Sequence, residues 1–139
     1  MKADKPLKNL FTLLFATLLA QTATAQTATD NSAPVPEIDW ETSINHFQFD
    51  SDKFVGQRLS VVCPPLTARD TMPDIHGTDV YPSNSPVCAA ARHAGRIDAG
   101  GGSVTVQLNP GADEYPGSTR NGVTSASLPA TNAILRFVA

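Results

Sequence analysis

The sequence predicts a small α+β domain with one short helix and a mostly antiparallel β-sheet. Two segments, residues 57–63 and 103–108, alternate apolar and polar side chains as half-buried strands do. One alanine-rich stretch at residues 87–94 carries helix signals at both ends. Asn121-Gly122 is a strong two-residue hairpin signal, and we find no internal repeat.

The chain begins with the pattern of a secretory signal peptide. Lys2, Lys5 and Lys8 precede a mostly apolar run over residues 10–20, and Ala23-Thr24-Ala25 supplies the small-x-small pattern of a cleavage site. The run is shorter than the roughly 20 apolar residues that cross a bilayer. We therefore predict a signal peptide over residues 1–25 with cleavage between Ala25 and Gln26. The alternative is an uncleaved amphipathic or anchoring helix.

Cleavage would leave 114 of the 139 residues and move the formal net charge from −3 to −5. Residues 26–37 are rich in Thr, Ala and Pro and predict a flexible linker. Large apolar residues start at Ile38-Asp39-Trp40, so a single domain is predicted over residues 38–139. The acidic balance argues against nucleic acid, whose phosphates call for clustered Lys and Arg.

The first predicted strand places Leu59, Val61 and Cys63 on one side. Pro64-Pro65 ends it, because proline cannot donate to a β-ladder. Residues 66–78 are then predicted to be loop.

The predicted helix follows Ser85-Pro86, where serine would cap the free amides and proline would take the first helical position. Residues 87–94 contain four alanines in eight positions, and Gly95 suits the left-handed residue that ends a helix. Such small side chains suit a helix whose backbone is approached closely, in the middle of a small fold.

The C-terminal half is predicted to be strands separated by turns. Gly100-Gly101-Gly102 and Asn109-Pro110-Gly111 are predicted turns on either side of the strand at residues 103–108. That strand would point Val104, Val106 and Leu108 inward. A terminal strand is predicted at residues 133–138, with Leu135 and Phe137 inward.

Cys63 and Cys88 are the two cysteines of the chain. In an oxidising compartment an even cysteine count in a small domain indicates a disulfide bond. Two free, buried thiols are the alternative.

The residues between 77 and 125 form an ordered pattern. Its elements are Gly77-Thr78-Asp79-Val80-Tyr81, Cys88-x-Ala90-Ala91-x-His93-Ala94-Gly95 and Asn121-Gly122-Val123-x-Ser125. This pattern resembles the LCCL domain, a module of extracellular proteins, and the resemblance covers about residues 52–139. It implies a central helix wrapped by two β-sheets, and a non-catalytic binding or adhesion role for which lipopolysaccharide and other surface components have been proposed.

The sequence departs from the family pattern at its cysteines. Fuller members have four cysteines in two bridges, whereas here Thr67 stands at one cysteine position and the most upstream cysteine is missing. A direct bridge between Cys63 and Cys88 is the simple repair. His76 replaces the aromatic residue often found before Gly-Thr.

The sequence offers few residues in arrangements typical of metal binding or catalysis. His46, His76 and His93 lack the spacing of a metal site, and we expect His93 to be a structural histidine that bonds to backbone. A small hydrolase would need a nucleophile beside a histidine and an acid, and no nucleophile motif is present. We therefore expect no enzyme activity, no cofactor and no metal.

Three arginines are candidates for an anion-binding site, since guanidinium groups suit phosphate and carboxylate. They are Arg92, Arg96 and Arg120. The alternative is ordinary solvated arginines balanced by Asp79 and Asp98.

Two functions are consistent with these patterns. The first is a secreted or periplasmic binding module without a transmembrane anchor, whose ligand is an envelope glycan, lipopolysaccharide or another extracellular component. The second is a structural or protein-docking subunit of an envelope complex.

Overall fold

A computed structural model describes residues 33–48 and 53–139 of the chain. The predicted signal peptide, its cleavage site at Ala25 and Gln26, and linker residues 26–32 lie outside the described residues. The incoming chain already bonds to the sheet at Pro36, two residues before the predicted domain start. The Val62 amide donates to the Pro36 carbonyl at 2.9 Å, and the Ile38 amide donates to the Val62 carbonyl at 3.0 Å.

The predicted α+β class is confirmed, with one α-helix and nine short strands in the described residues. In chain order the elements are a 3₁₀ turn (Ile44–His46), β1 (Arg58–Cys63), β2 (Ile75–His76), β3 (Tyr81–Pro82), α1 (Val87–His93), β4 (Gly102–Pro110), β5 (Glu114–Tyr115), β6 (Thr119–Arg120), β7 (Val123–Ala126), β8 (Leu128–Pro129) and β9 (Ala133–Val138). The strands form a four-stranded sheet β1-β4-β9-β3, a three-stranded sheet β2-β7-β6 and a two-stranded pair β5-β8. All strand pairs are antiparallel except β2 with β7.

Strand β4 lies at the centre of the large sheet, between β1 and β9. Its alternation is as predicted, with Val104, Val106 and Leu108 buried. The predicted turn at 109–111 is wrong in its first two residues, because Asn109 and Pro110 continue the strand opposite β9. Strand β1 pairs with β4 only as far as Gln107. No β1 residue therefore needs a hydrogen bond from Pro110, whose nitrogen has no hydrogen to donate.

The predicted loop over residues 66–78 contains one strand that the sequence analysis missed. Ile75 and His76 pair in parallel with Ser125 and Ala126 of β7. Two residues are too few for an alternating pattern to show, so tertiary pairing alone defines this strand.

Helix α1 ends as predicted but begins differently. Gly95 has φ +72°, and its amide donates to the Arg92 carbonyl at 3.0 Å while the Arg96 amide donates to the Ala91 carbonyl at 2.8 Å. These two bonds are the Schellman motif that closes a helix with a left-handed residue.

At the helix start the predicted serine cap is wrong. Pro86 occupies the cap position without a side-chain bond, and the buried Ser85 hydroxyl has no hydrogen-bond partner within the described residues. The Thr42 carbonyl instead accepts a bond from the Val87 amide at 2.9 Å. A backbone carbonyl from a segment distant in sequence therefore caps the start of α1 in place of the predicted serine hydroxyl.

Because its alanine side chains are small, helix α1 can be buried in the middle of this small domain. Ala89, Ala90 and Ala91 are each 0% exposed, and only Arg92 of the helix reaches solvent. Side chains of this size let neighbouring backbone approach on several sides. The predicted central helix wrapped by sheets is therefore confirmed.

A disulfide joins Cys63, the last residue of β1, to Cys88 in the first turn of α1. The predicted bridge is thus confirmed. Both cysteines are buried, and the bond closes a loop with a sequence separation of 25. In the chain-entropy model such a loop contributes about 3–4 kcal/mol to the free energy of unfolding.

His93 ties the helix to two other parts of the fold. Its Nδ1 lies 2.8 Å from the Tyr81 hydroxyl of β3, and its Nε2 lies 3.1 Å from the Ser118 carbonyl. A carbonyl can only accept, so Nε2 carries a proton, and in the neutral ring Nδ1 accepts from Tyr81. Burial raises the pKa of the Tyr81 hydroxyl, so it remains a donor at neutral pH.

Removing the disulfide should cost much of the stability of the domain. The double variant Cys63→Ala/Cys88→Ala is expected to lose about 3–4 kcal/mol of unfolding free energy in urea denaturation. Wild-type protein in reductant should fall to a similar value, while the variant should not respond to reductant. A wild-type urea midpoint that stays the same, with mass spectrometry showing the bond reduced, would contradict this.

The contact between Tyr81 and His93 should show as a coupling energy. Tyr81→Phe is expected to cost about 1–3 kcal/mol because it leaves a buried ring nitrogen unpaired, and His93→Phe should cost at least as much. The double variant should lose about 1 kcal/mol less than the two single losses combined. Urea denaturation of all four proteins measures this, and strictly additive losses would refute the contact.

Candidate functional site

The C-terminal end of α1 opens into a groove of about 620 Å³. We call this the helix-end groove. Its lining residues come from the last helical turn, the segment that follows it and the β6–β7 hairpin, and they are Arg92, Gly95, Arg96, Ile97, Asp98, Ala99, Gly101 and Asn121.

The Schellman turn brings two arginines to this groove. Arg92 lies in the last turn of α1 and is partly buried, whereas Arg96 is exposed just after Gly95. The sequence predicts a helix end at Gly95, between these two arginines. The left-handed turn at Gly95 instead folds the chain back, so that both side chains line one groove.

Asn121 closes the groove from the hairpin side. Asn121 and Gly122 have φ values of +50° and +74°, as a type I′ hairpin turn requires. The Asn121 side-chain amide donates to the His93 carbonyl at 2.9 Å and so satisfies a carbonyl at the helix end. A Cβ at Gly95 would lie 3.0 Å from that amide nitrogen, so the contact favours glycine there.

Arg120 does not join the other two arginines. Its guanidinium lies 2.8 Å from the Asp79 carboxylate, and the two side chains are 40% and 66% exposed. Such a surface pair contributes roughly 0–1 kcal/mol to stability. The alternative prediction, a solvated arginine balanced by an acidic residue, therefore holds for Arg120. The structure does not place this residue in the groove.

Asp98 does not balance Arg92 or Arg96 by a direct ion pair. Its Oδ1 accepts a bond from the Gly100 amide at 2.7 Å, which shapes the turn at residues 98–101. Within residues 33–48 and 53–139, no carboxylate lies within 4.0 Å of either guanidinium. The groove thus presents two guanidinium groups and one carboxylate, and the guanidinium forks suit phosphate, sulfate or carboxylate.

Gly77 and Thr78 lie outside the helix-end groove and hold the segment around Ser118. A Cβ at Gly77 would lie 2.2 Å from the Val80 carbonyl oxygen, so this tight turn needs glycine. The Thr78 hydroxyl lies 2.9 Å from the Pro116 carbonyl and 2.7 Å from the Ser118 hydroxyl. These bonds hold the segment that supplies the Ser118 carbonyl to His93.

A contact that the sequence analysis missed places the Ser118 hydroxyl 3.2 Å from Nε2 of His93. The same nitrogen donates its proton to the Ser118 carbonyl, so the ring offers this hydroxyl no lone pair to act as a base. The contact therefore positions backbone and does not activate a nucleophile. No group of three metal-ligating side chains occurs in the described part of the chain.

Comparison with known proteins identifies the fold. The family model of the LCCL domain matches residues 38–134. The chain is 43% identical to human vitrin over 77 residues, which is 55% of this chain and 11% of vitrin. It is 35% identical to clotting factor C of Tachypleus tridentatus over 83 residues, 60% of this chain and 8% of that protein.

Human cochlin is 35% identical over 72 residues, 52% of this chain and 13% of cochlin. The chain therefore spans about a tenth of the length of these relatives, and the likeness concerns one module of each. The matched span includes the disulfide, helix α1 and the helix-end groove. The chain belongs to the LCCL domain family.

Proposed function

We propose that this protein is an exported, non-catalytic binding module whose helix-end groove holds an anionic group of an envelope glycan, a lipopolysaccharide or another extracellular component. The observation that carries the proposal is the pairing of Arg92 and Arg96 in one groove without a carboxylate within 4.0 Å in the described chain. Guanidinium groups left without an acid partner are available to bind a ligand's phosphate, sulfate or carboxylate.

Hydrogen bonds also hold the walls of the groove in place. Its walls are joined to the core by the two Schellman bonds and by the bond from Asn121 to the His93 carbonyl. A site built on such backbone bonds loses little conformational freedom when a ligand binds, which favours affinity.

Export is supported by two features of different kinds. The N-terminal sequence has the basic, apolar and small-residue zones of a signal peptide. The disulfide between Cys63 and Cys88 is of the kind that forms in oxidising compartments. From these two features we infer a secreted or periplasmic location. Among residues 33–48 and 53–139, none of the helices has the length and apolar character of a membrane span.

The overall charge limits how the groove can bind. The formal net charge of the chain is −3, so the protein as a whole does not attract polyanions from a distance. Binding should depend on short-range contacts with the two arginines, and it should weaken as salt screens them.

Replacing both groove arginines should abolish most of the binding. We expect Arg92→Gln/Arg96→Gln to bind lipopolysaccharide or phosphate-bearing glycans on an array at least about tenfold more weakly than wild type, because two charge-assisted contacts are lost. Arg69→Gln, an exposed arginine on the loop after β1, is the matched control and should bind as wild type.

Urea denaturation should show the three proteins equally stable, so that a loss of binding reports the site. Equal binding by the groove variant and the Arg69→Gln control would overturn the proposal. A single protein recovered in stoichiometric amount by cross-linking, with no glycan bound, would instead favour the docking-subunit function.

A further inference from the structure

We propose that the ligand is a linear acidic glycan that continues from the helix-end groove across the outer face of the four-stranded sheet. This inference rests on the proposed function and names the class and the length of its ligand. The outer face is the side of β1, β4 and β9 that points away from α1. Its polar side chains include Arg58, Ser60, Ser103, Thr105, Gln107 and Arg136.

Strand register places two arginines in one row of this face. Arg58 of β1 lies opposite Gln107 of β4, and Gln107 lies opposite Arg136 of β9. Neighbouring strands are about 4.8 Å apart, so the two arginines are spaced by roughly 10 Å across the sheet. Both are exposed, and neither has a carboxylate within 4.0 Å in residues 33–48 and 53–139.

In the adjacent row, β1 and β4 present hydroxyl groups and β9 presents Val138. The Ser60 and Thr105 hydroxyls lie 2.8 Å apart across β1 and β4, and Ser103 lies two positions before Thr105 on β4. Hydroxyl and amide groups both donate and accept, which matches the hydroxyl groups of sugars. None of these six side chains is aromatic.

Arg96 connects the helix-end groove to this face. It also lines a neighbouring concavity of about 280 Å³, whose other lining residues include Ser103, Thr105, Phe137 and Val138. From Ser103 to Gln107 the strand rises by about 13 Å. A ligand that touches both Arg96 and the Arg58–Gln107–Arg136 row must therefore be extended, and a single phosphate or a short sugar can fill only the groove.

The charges along this path favour a polyanion. Two acidic residues line concavities with Arg96: Asp98, whose Oδ1 accepts the Gly100 amide, and Asp79, which pairs with Arg120. Glu37 lies opposite Val62, at the far end of β1 from Arg58. Four guanidinium groups thus lie along the path. They can bind a ligand whose carboxylate or sulfate groups recur along its length. Repeating anionic sugars in an extended chain supply that pattern, with hydroxyls between the charges for the Ser60–Thr105 row.

The test compares ligand length with the position of the substitution. Heparin-derived tetrasaccharide and dodecasaccharide are titrated by calorimetry into wild type, Arg58→Gln/Arg136→Gln, Arg92→Gln/Arg96→Gln and the Arg69→Gln control. Wild type should bind the longer fragment at least about tenfold more tightly. The sheet variant should lose about tenfold in affinity for the dodecasaccharide while its tetrasaccharide affinity stays unchanged, because each exposed arginine contributes roughly threefold.

The two proposals fail differently in this experiment. If Arg92→Gln/Arg96→Gln weakens both fragments and the sheet variant binds the dodecasaccharide like the Arg69→Gln control, the groove stands and the sheet path is overturned. If neither fragment binds wild type, the acidic-glycan path is overturned, and the proposed function is then decided by the lipopolysaccharide and phosphoglycan array alone. Single-stranded oligothymidylate of matched charge that binds as tightly as the dodecasaccharide would overturn the assignment to a glycan.

Discussion

The disulfide between Cys63 and Cys88 is the constraint on which the rest of the structure depends. It joins the end of β1 to the first turn of α1 in the middle of the core. A helix of seven residues is not stable alone, and its three buried alanines remove little apolar surface from water. The covalent bond limits the separation of sheet and helix in the unfolded chain and so offsets the weakness of the helix.

The position of the helix in turn determines where the candidate site lies. His93 on the last turn bonds to Tyr81 and to the Ser118 carbonyl, which orients the helix end toward the β6–β7 hairpin. Asn121 and the Schellman amides take up the free carbonyls there. Because backbone groups satisfy one another, the guanidinium groups of Arg92 and Arg96 are not needed for the fold and can face the groove.

Much of the fold could be predicted from local patterns. The alternation in β1 and β4, the bounds of β9, the glycine that ends α1 and the disulfide all depend on near neighbours or on cysteine count. What could not be predicted depends on partners distant in sequence. The Thr42 carbonyl that caps α1 and the Ser118 carbonyl that holds His93 come from segments with no local signal for these contacts.

For a similar reason, the sequence predicted which residues could form the site but not how they are arranged. Residue type alone singled out three arginines, but it could not show that Asp79 pairs with Arg120. A signal for the other two was present in the sequence. A left-handed glycine after a helix folds the next residue back toward the last turn, so Gly95 predicts that Arg96 returns beside the helix end.

The measurement that tests the central claim most directly is amide hydrogen exchange of α1 with the disulfide intact and reduced. The Ala90 and Ala94 amides, which bond to the Pro86 and Ala90 carbonyls, should exchange only through global unfolding in the oxidised protein. Reduction should accelerate their exchange by about a hundredfold or more, as a loss of about 3–4 kcal/mol requires. Unchanged exchange rates in fully reduced protein would show that the helix is held without the bond and would contradict this account.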